Sequence, residues 1–230
     1  VIIVTVLVGV AFAEAVNLIE DGSFELPKPA DQFGLVFQKW GGWKYEGDCA
    51  FRVGEVAHSG NTSCLVYGGG PCKIRVRAGE RVLAPGRYEI RAFIRGLALG
   101  KGQDGQATEF MFDGKYIQLG MTGTFGWTPL TYVADVDKER KVEGPSFGLM
   151  GPGYFWIDDV SMSKVGADVA VTEKPVIGKE ESPIAPPGPL VEGKAVACPV
   201  CGYRNMPDWG KCYACGAKLT AKAAFAGPNG

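Results

Sequence analysis

Between Asn17 and about Val165 the chain runs in short stretches where apolar and polar residues alternate, each stopped by Gly or Pro. Arg87-Tyr-Glu-Ile-Arg-Ala-Phe-Ile-Arg95 is the clearest. Tyr88, Ile90, Ala92 and Ile94 fall on one side, while charged residues dominate the other, with Phe93 the exception. Successive side chains of a strand point to opposite faces, so this period of two predicts a half-buried strand. Pro85-Gly86 supplies the turn before it. Comparable strands are expected at 50–57, 63–67, 72–77, 108–113, 130–136, 146–150 and 154–163. Many short strands, with 34 Gly and 15 Pro in 230 residues and no long helical period, predict an all-β chain folded as an antiparallel β-sandwich.

Charge and composition narrow the function. Apolar residues make up 46% of the chain, enough to bury a core. Twenty-four Lys and Arg stand against 25 Asp and Glu, so no bulk field draws nucleic acid. A single histidine, His58, excludes any mechanism needing two, and leaves a Ser-His-Asp arrangement only if His58 serves it. Its place in a turn between two expected strands predicts a hydrogen-bonded structural role. Val1–Val10 is an apolar run, and Ala11-Phe-Ala13 and Ala13-Glu-Ala15 fit small-x-small cleavage sites. Residues 1–15 therefore read as the remainder of a secretory signal. A buried strand or a membrane anchor are the alternatives, but the run is short of the ~20 residues of a span. The expected location is secreted or cell envelope, with no stable membrane span.

After Val165 the texture changes. Residues 166–196 carry Pro175, Pro183, Pro186, Pro187 and Pro189, scattered acids and almost no aromatic residue, which reads as a semi-extended linker. A small unit follows at 197–220, then a flexible tail, 221–230. The unit holds Cys198-Pro-Val-Cys201-Gly202 and Cys212-Tyr-Ala-Cys215-Gly216, two CxxC pairs ten residues apart. Four thiolates converging tetrahedrally suit Zn²⁺. So short a segment has no core, so the metal would supply its folding free energy. Two disulfides formed after export are the alternative. The stretch resembles the short zinc-ribbon family, which implies a structural or partner-docking role, with no open coordination position for catalysis.

Asn17-Leu-Ile-Glu-Asp-Gly-Ser-Phe-Glu25 is similar to the opening strand of carbohydrate-binding modules of the family 4/9 type, within the galactose-binding-like jelly rolls. Trp40, His58-Ser-Gly60, Pro85-Gly86-Arg-Tyr88 and Phe155-Trp-Ile-Asp-Asp-Val160 follow in the order that family shows. The resemblance covers residues 16–165, the expected sandwich domain. It implies a jelly roll that binds glycans through aromatic residues without cleaving them. It also implies a structural Ca²⁺ held by Glu25, Asp158 and Asp159. Those acids could instead cap strand ends or pair with basic residues, or act as a glycosidase carboxylate pair.

Trp40, Trp127 and Trp156 match positions where the family packs a ring, so they are expected inside. Trp43 and Tyr45, after Gly41-Gly42 in an expected loop, and Tyr116, after the expected hairpin turn Asp113-Gly114, are the candidate glycan-binding rings. If 50–57 and 63–67 form a hairpin about Gly60, Cys49 comes level with Cys72. A Cys49–Cys72 disulfide with Cys64 buried and free is then expected, Cys64–Cys72 being the alternative. The competing functions are a structural or assembly protein of the envelope with no sugar ligand, and a hydrolase or lyase using sandwich carboxylates.

Overall fold

The computed structural model describes residues 16–32, 34, 36–181, 196–198, 204–205, 210–213 and 218–219. The expected signal (1–15), the tail (221–230), Cys201 and Cys215 lie outside the described residues.

In chain order the strands are β1 (Trp40–Glu46), β2 (Cys49–Gly54), β3 (Ser63–Gly68), β4 (Lys73–Ala78), β5 (Arg81–Leu83), β6 (Gly86–Leu99), β7 (Thr108–Phe112), β8 (Lys115–Gln118), β9 (Gly123–Val136), β10 (Arg140–Val142), β11 (Ser146–Leu149), β12 (Gly153–Val165), β13 (Val176–Ile177), β14 (Val196–Ala197) and β15 (Arg204–Asn205). No helix occurs among the described residues. A five-stranded sheet, β1-β4-β11-β7-β8, packs on a six-stranded sheet, β13-β9-β6-β12-β3-β2; β5-β10 and β14-β15 are small ribbons. All pairings are antiparallel. The chain is an antiparallel β-sandwich of the jelly-roll type, and every strand position read from the alternation carries a strand.

Alternation explains the core. Tyr88, Ile90, Ala92 and Ile94 of β6 all point inward, as their period requires. Leu130 of β9 and Phe155 and Ile157 of β12 join them, and Ile74, Val76, Phe110, Phe147 and Leu149 meet them from the other sheet. Phe110 packs edge-on against Phe147 and Tyr132.

The opening segment is not a strand, and it turns at residues 20–23. It closes the sandwich by lying on β12: Leu18 N–H donates to the Met162 carbonyl at 2.7 Å, and Asn17 Oδ1 accepts from Met162 N–H at 3.0 Å. Next to it β12 bulges between Asp158 and Ser161, with Asp159 at φ 46°.

Two sequence expectations need correction. Trp43 and Tyr45 sit in strand β1, not in a loop. The paired glycines mark a flat place on a strand: a Cβ at Gly41 would lie 3.2 Å from the Trp43 ring, which needs that space. Nor does a linker begin at residue 166. Thr172 N–H donates to the Val133 carbonyl at 3.0 Å, Gly178 N–H to Pro129 at 2.8 Å and Glu181 N–H to Trp127 at 2.8 Å. Residues 166–181 thus run along the open edge of β9, with β13 pairing to Thr131 and Leu130. An edge strand needs no core of its own, because the sheet offers it unpaired N–H and C=O groups. Low apolar content therefore concealed it.

Trp40, Trp127 and Trp156 are buried as expected, but only Trp40 lies between the sheets. Trp127 and Trp156 stand on the outer face of the six-stranded sheet with Leu65 and Leu97, in one cluster with Cys198 and Cys212. Tyr213 and Leu219 pack against the same cluster. The C-terminal unit therefore covers that face. Its β14 and β15 pair, and Lys211 bridges Lys218.

Candidate functional site

The outer face of the five-stranded sheet gathers side chains from all five strands. Register places Trp43 opposite Arg75, Arg75 opposite Gly148 and Gly148 opposite Glu109. One step along, Arg77 is opposite Ser146, Ser146 opposite Met111 and Met111 opposite Tyr116. These two rows point away from the core, since their neighbours Ile74, Val76, Phe110 and Phe147 point into it. Trp43, Tyr45 and Tyr116 line a single groove of about 210 Å³ on this face, with Arg75, Arg77 and Ser146 among its other walls. The sequence reading thus named three rings that the fold places together, and it missed the arginines. Only the alternating Lys-Ile-Arg-Val-Arg pattern of residues 73–77 signalled that two guanidinium groups would share one face.

The electrostatics are balanced. Arg75 Nε donates to Glu109 Oε1 at 2.7 Å, and Arg77 Nη1 pairs with Glu143 Oε1 at 3.0 Å. Burial works against the Arg75 charge, but the Glu109 carboxylate outweighs it and holds the pKa above its usual value. Arg75 and Glu109 reach each other across β11, over a backbone gap of roughly 9–10 Å spanning two strand spacings. Gly148 leaves the way clear; a Cβ there would meet the Arg75 side chain at 3.2 Å and the Met150 methyl at 2.5 Å. Arg75 lies 5.3 Å from the Tyr45 ring centre and 4.6 Å from that of Tyr116. Arg77 lies 4.3 Å from that of Trp43. Tyr45 and Tyr116 remain 58% and 57% exposed, so their rings are open to a ligand. Tyr116 follows the hairpin turn at Asp113 and Gly114, both at positive φ, as a two-residue turn of this kind requires. On the groove floor the buried Ser146 hydroxyl has no hydrogen-bond partner among the described residues. A larger hollow of about 520 Å³, at Gly86, Asp135 and Lys164, has no aromatic wall.

The acids expected to hold calcium converge on one loop, residues 58–62. Glu25 Oε1 accepts the N–H groups of Asn61 and Thr62 at 2.8 and 2.9 Å. Asp158 accepts the His58 N–H at 2.8 Å on one oxygen and the Asp159 N–H at 2.8 Å on the other. Asp159 meets His58 Nδ1 at 2.6 Å and the Ser59 hydroxyl at 2.7 Å. Among the described residues no group of three or more His, Cys, Asp or Glu is placed to hold a metal ion. These carboxylates tie the loop to β12 and to the opening segment. His58 stacks on Phe93, with ring centres 3.5 Å apart, and stands edge-on to Trp127. That is the structural part expected of it. Burial pushes the Asp158 carboxyl up to about 7 against the pull of its N–H donors, and the Asp159 charge adds to the rise.

Cys49, Cys64 and Cys72 are buried free thiols. The thiols of the expected disulfide partners donate to backbone carbonyls, Cys49 to Glu46 at 3.4 Å and Cys72 to Gly151 at 3.2 Å; burial raises both, that of Cys72 to about 12. Of the four expected zinc ligands, Cys198 and Cys212 are described and buried. Cys198 follows β14, and Cys212 follows the Lys211 bridge residue. Asn205 Nδ2 donates to Cys212 Sγ at 3.5 Å, while Asn205 Oδ1 accepts the Tyr213 N–H at 2.7 Å. Sulfur atoms at the ends of two short hairpins, one with an amide donor, fit the donor set of a thiolate-bound zinc.

No protein-family profile matches the chain, and no curated protein is detectably similar. Solved structures are. A family 61 carbohydrate-binding module in complex with β-1,4-galactotriose matches with a TM-score of 0.45 and 11% identity, over 66% of this chain and 100% of that one. The CBM22-1 xylan-binding domain from Paenibacillus barcinonensis Xyn10C matches with a TM-score of 0.41 and 16% identity, over 68% and 99%. The enzymatically active domain of bacteriophage CBA120 tailspike protein 4 gives 0.47 and 14%, over 65% of this chain but only 21% of its own. No helix among the described residues is long and apolar enough to cross a membrane.

Proposed function

We propose that the outer face of the five-stranded sheet binds a neutral polysaccharide without cleaving it, in an exported protein whose C-terminal unit is built around zinc. One observation carries the reading: Trp43 and Tyr45 of β1 and Tyr116 of β8, from opposite edges of the sheet, line one groove. The apolar C–H faces of a sugar stack on such rings, while its hydroxyls need donors and acceptors fixed beside them. Arg75, Arg77 and the Ser146 hydroxyl, which has no partner among the described residues, supply these. Both guanidinium charges are matched by carboxylates, so the groove favours an uncharged chain over a uronate. Glu109 and Glu143 are engaged by those arginines, which leaves neither set as the acid or nucleophile of glycoside hydrolysis. At the C-terminus Cys198, Cys201, Cys212 and Cys215 would hold one Zn²⁺ as a structural ion.

Titration of soluble β-glucan, xylan and other plant or algal polysaccharides into the protein tests the site. Trp43→Ala and Tyr116→Ala are each expected to weaken binding about tenfold, the equivalent of ~1.4 kcal/mol. Saturable binding untouched by both substitutions would refute the residue assignment. Absence of binding across the panel would favour a structural or assembly role.

A further inference from the structure

We propose that the outer face of the six-stranded sheet is a docking surface for this chain's own four-cysteine unit, kept docked by the metal ion the cysteines hold. The metal dependence rests on the zinc reading above; the docking rests on the packing.

The sheet asks for a cover. Ser63-Cys-Leu-Val-Tyr67 and Tyr154-Phe-Trp-Ile157 are nearly continuous apolar runs, the mark of strands buried on both faces. Cys64, Val66, Phe155 and Ile157 serve the core between the sheets. Leu65, Tyr67, Tyr154 and Trp156 serve the opposite face. Tyr67, Tyr154 and Trp156 form a stacked row with ring centres 6.0 and 6.2 Å apart. Arg95 lies 4.9 Å over Trp156.

The C-terminal unit in turn asks for a support. Cys198, Cys212, Tyr213 and Leu219 all belong to the cluster that contains Trp127 and Trp156. Among its described residues the one strand pair, β14–β15, has two residues to a strand, far too short to persist unaided. A metal held by the four cysteines would give the unit a fixed face.

The closed arrangement also carries a flaw. Arg95 Nε and Trp156 Nε1 are buried on this side of the sheet without an acceptor among the described residues. Buried unpaired donors oppose closure, so apolar contact alone holds the unit weakly, and its rigidity becomes decisive.

Hydroxyl-radical footprinting of the full chain, with and without a zinc chelator, reads the exposure of each ring. Stripping zinc is expected to raise labelling of Trp127 and Trp156 several-fold and to leave Trp40 unchanged. Leu219→Asp, which keeps all four cysteines, should give the same rise with zinc still bound. Unchanged Trp156 labelling in that variant would overturn the docking and leave the zinc reading intact. Zinc shown to be gone by elemental analysis, with Trp156 still protected, would overturn the metal dependence. A purified chain without zinc and with Trp156 protected would overturn it too, together with the zinc reading.

Discussion

The guanidinium of Arg75 lies 4.6 Å over the ring of Tyr116, so one wall of the groove is set by a charge that Glu109 anchors from two strands away. Glu109 is almost fully buried, and Arg75 is its ion-pair partner. Glu109→Gln keeps an oxygen for Arg75 but removes the charge. The variant is expected to fold and to bind polysaccharide about three- to tenfold more weakly, the equivalent of ~0.6–1.4 kcal/mol, because a neutral partner holds the guanidinium less firmly than a charged one. Calorimetric titration beside a thermal melt checks this. Unchanged affinity would mean that Arg75 does not organise the wall.

Gly148 tests the same relation from the floor. Gly148→Val puts a branched side chain where even a Cβ comes within 2.5 Å of Met150. We expect a loss of stability of about 1–3 kcal/mol from overpacking, with weaker polysaccharide binding, measured by denaturant unfolding and titration.

Asp158 makes stability depend on pH. Its carboxyl titrates near 7 in the folded chain and near 4 when unfolded. The folded state therefore holds the proton more tightly, and this group's contribution is lost as pH rises from about 4 through 7. A decline on the order of 1–4 kcal/mol is expected over that range. Carboxylates held below their usual range, such as Glu25 and Asp135, are already ionised above pH 5 and add no slope there. Comparing chemical unfolding of the protein with that of Asp158→Asn between pH 5 and 7 separates Asp158 from its neighbours His58, Asp159 and Cys64. Equal slopes would exclude it. In the same assay calcium held by Glu25, Asp158 and Asp159 would raise the unfolding midpoint. An unmoved midpoint would leave these acids as partners of the 58–62 loop alone.

Cys49 and Cys72 stand where a bond between them would join β2 in one sheet to the start of β4 in the other. Under a disulfide-exchange buffer, peptide mapping with differential alkylation is expected to find Cys49–Cys72 linked and Cys64 unmodified. Closing that loop should raise stability by about 3 kcal/mol. A Cys64–Cys72 link would refute the pairing.

The strap at 166–181 gives a further test. Gly178→Pro removes the N–H that bonds to Pro129 and adds bulk where a Cβ meets that ring at 2.7 Å. Proteolysis within 166–181 should become markedly faster while the rest of the sandwich resists. Unaltered cleavage would mean that the strap does not depend on this bond.

The strands legible in the sequence were those with one wet and one dry face, because period two survives only there. β6 is the clearest case. β8 and β13 left no such trace: Lys115–Gln118 is mostly exposed, and Val176–Ile177 is a two-residue edge. β1 was hidden by Gly41-Gly42, whose lack of side chains makes room for the Trp43 ring and imitates a turn. The three groove rings were found because large aromatics beside glycines and turns stood out. Arg75, Glu109 and Gly148 were not, since their partnership crosses β11 and no local pattern encodes a contact made through register. Trp127 and Trp156 were rightly assigned to the interior. That they have an interior of their own depends on residues some forty or more positions downstream.

Asn17 and Met162 are hydrogen-bonded neighbours. While the chain is being made, Asn17 and Leu18 lack their β12 partner until nearly the last long strand has emerged. Such distant pairing makes folding slow and leaves the decisive closure until synthesis of the domain is complete. A chain of this design reaches its native form only as a whole, and passing through a narrow pore as a thread would undo nothing it had yet built.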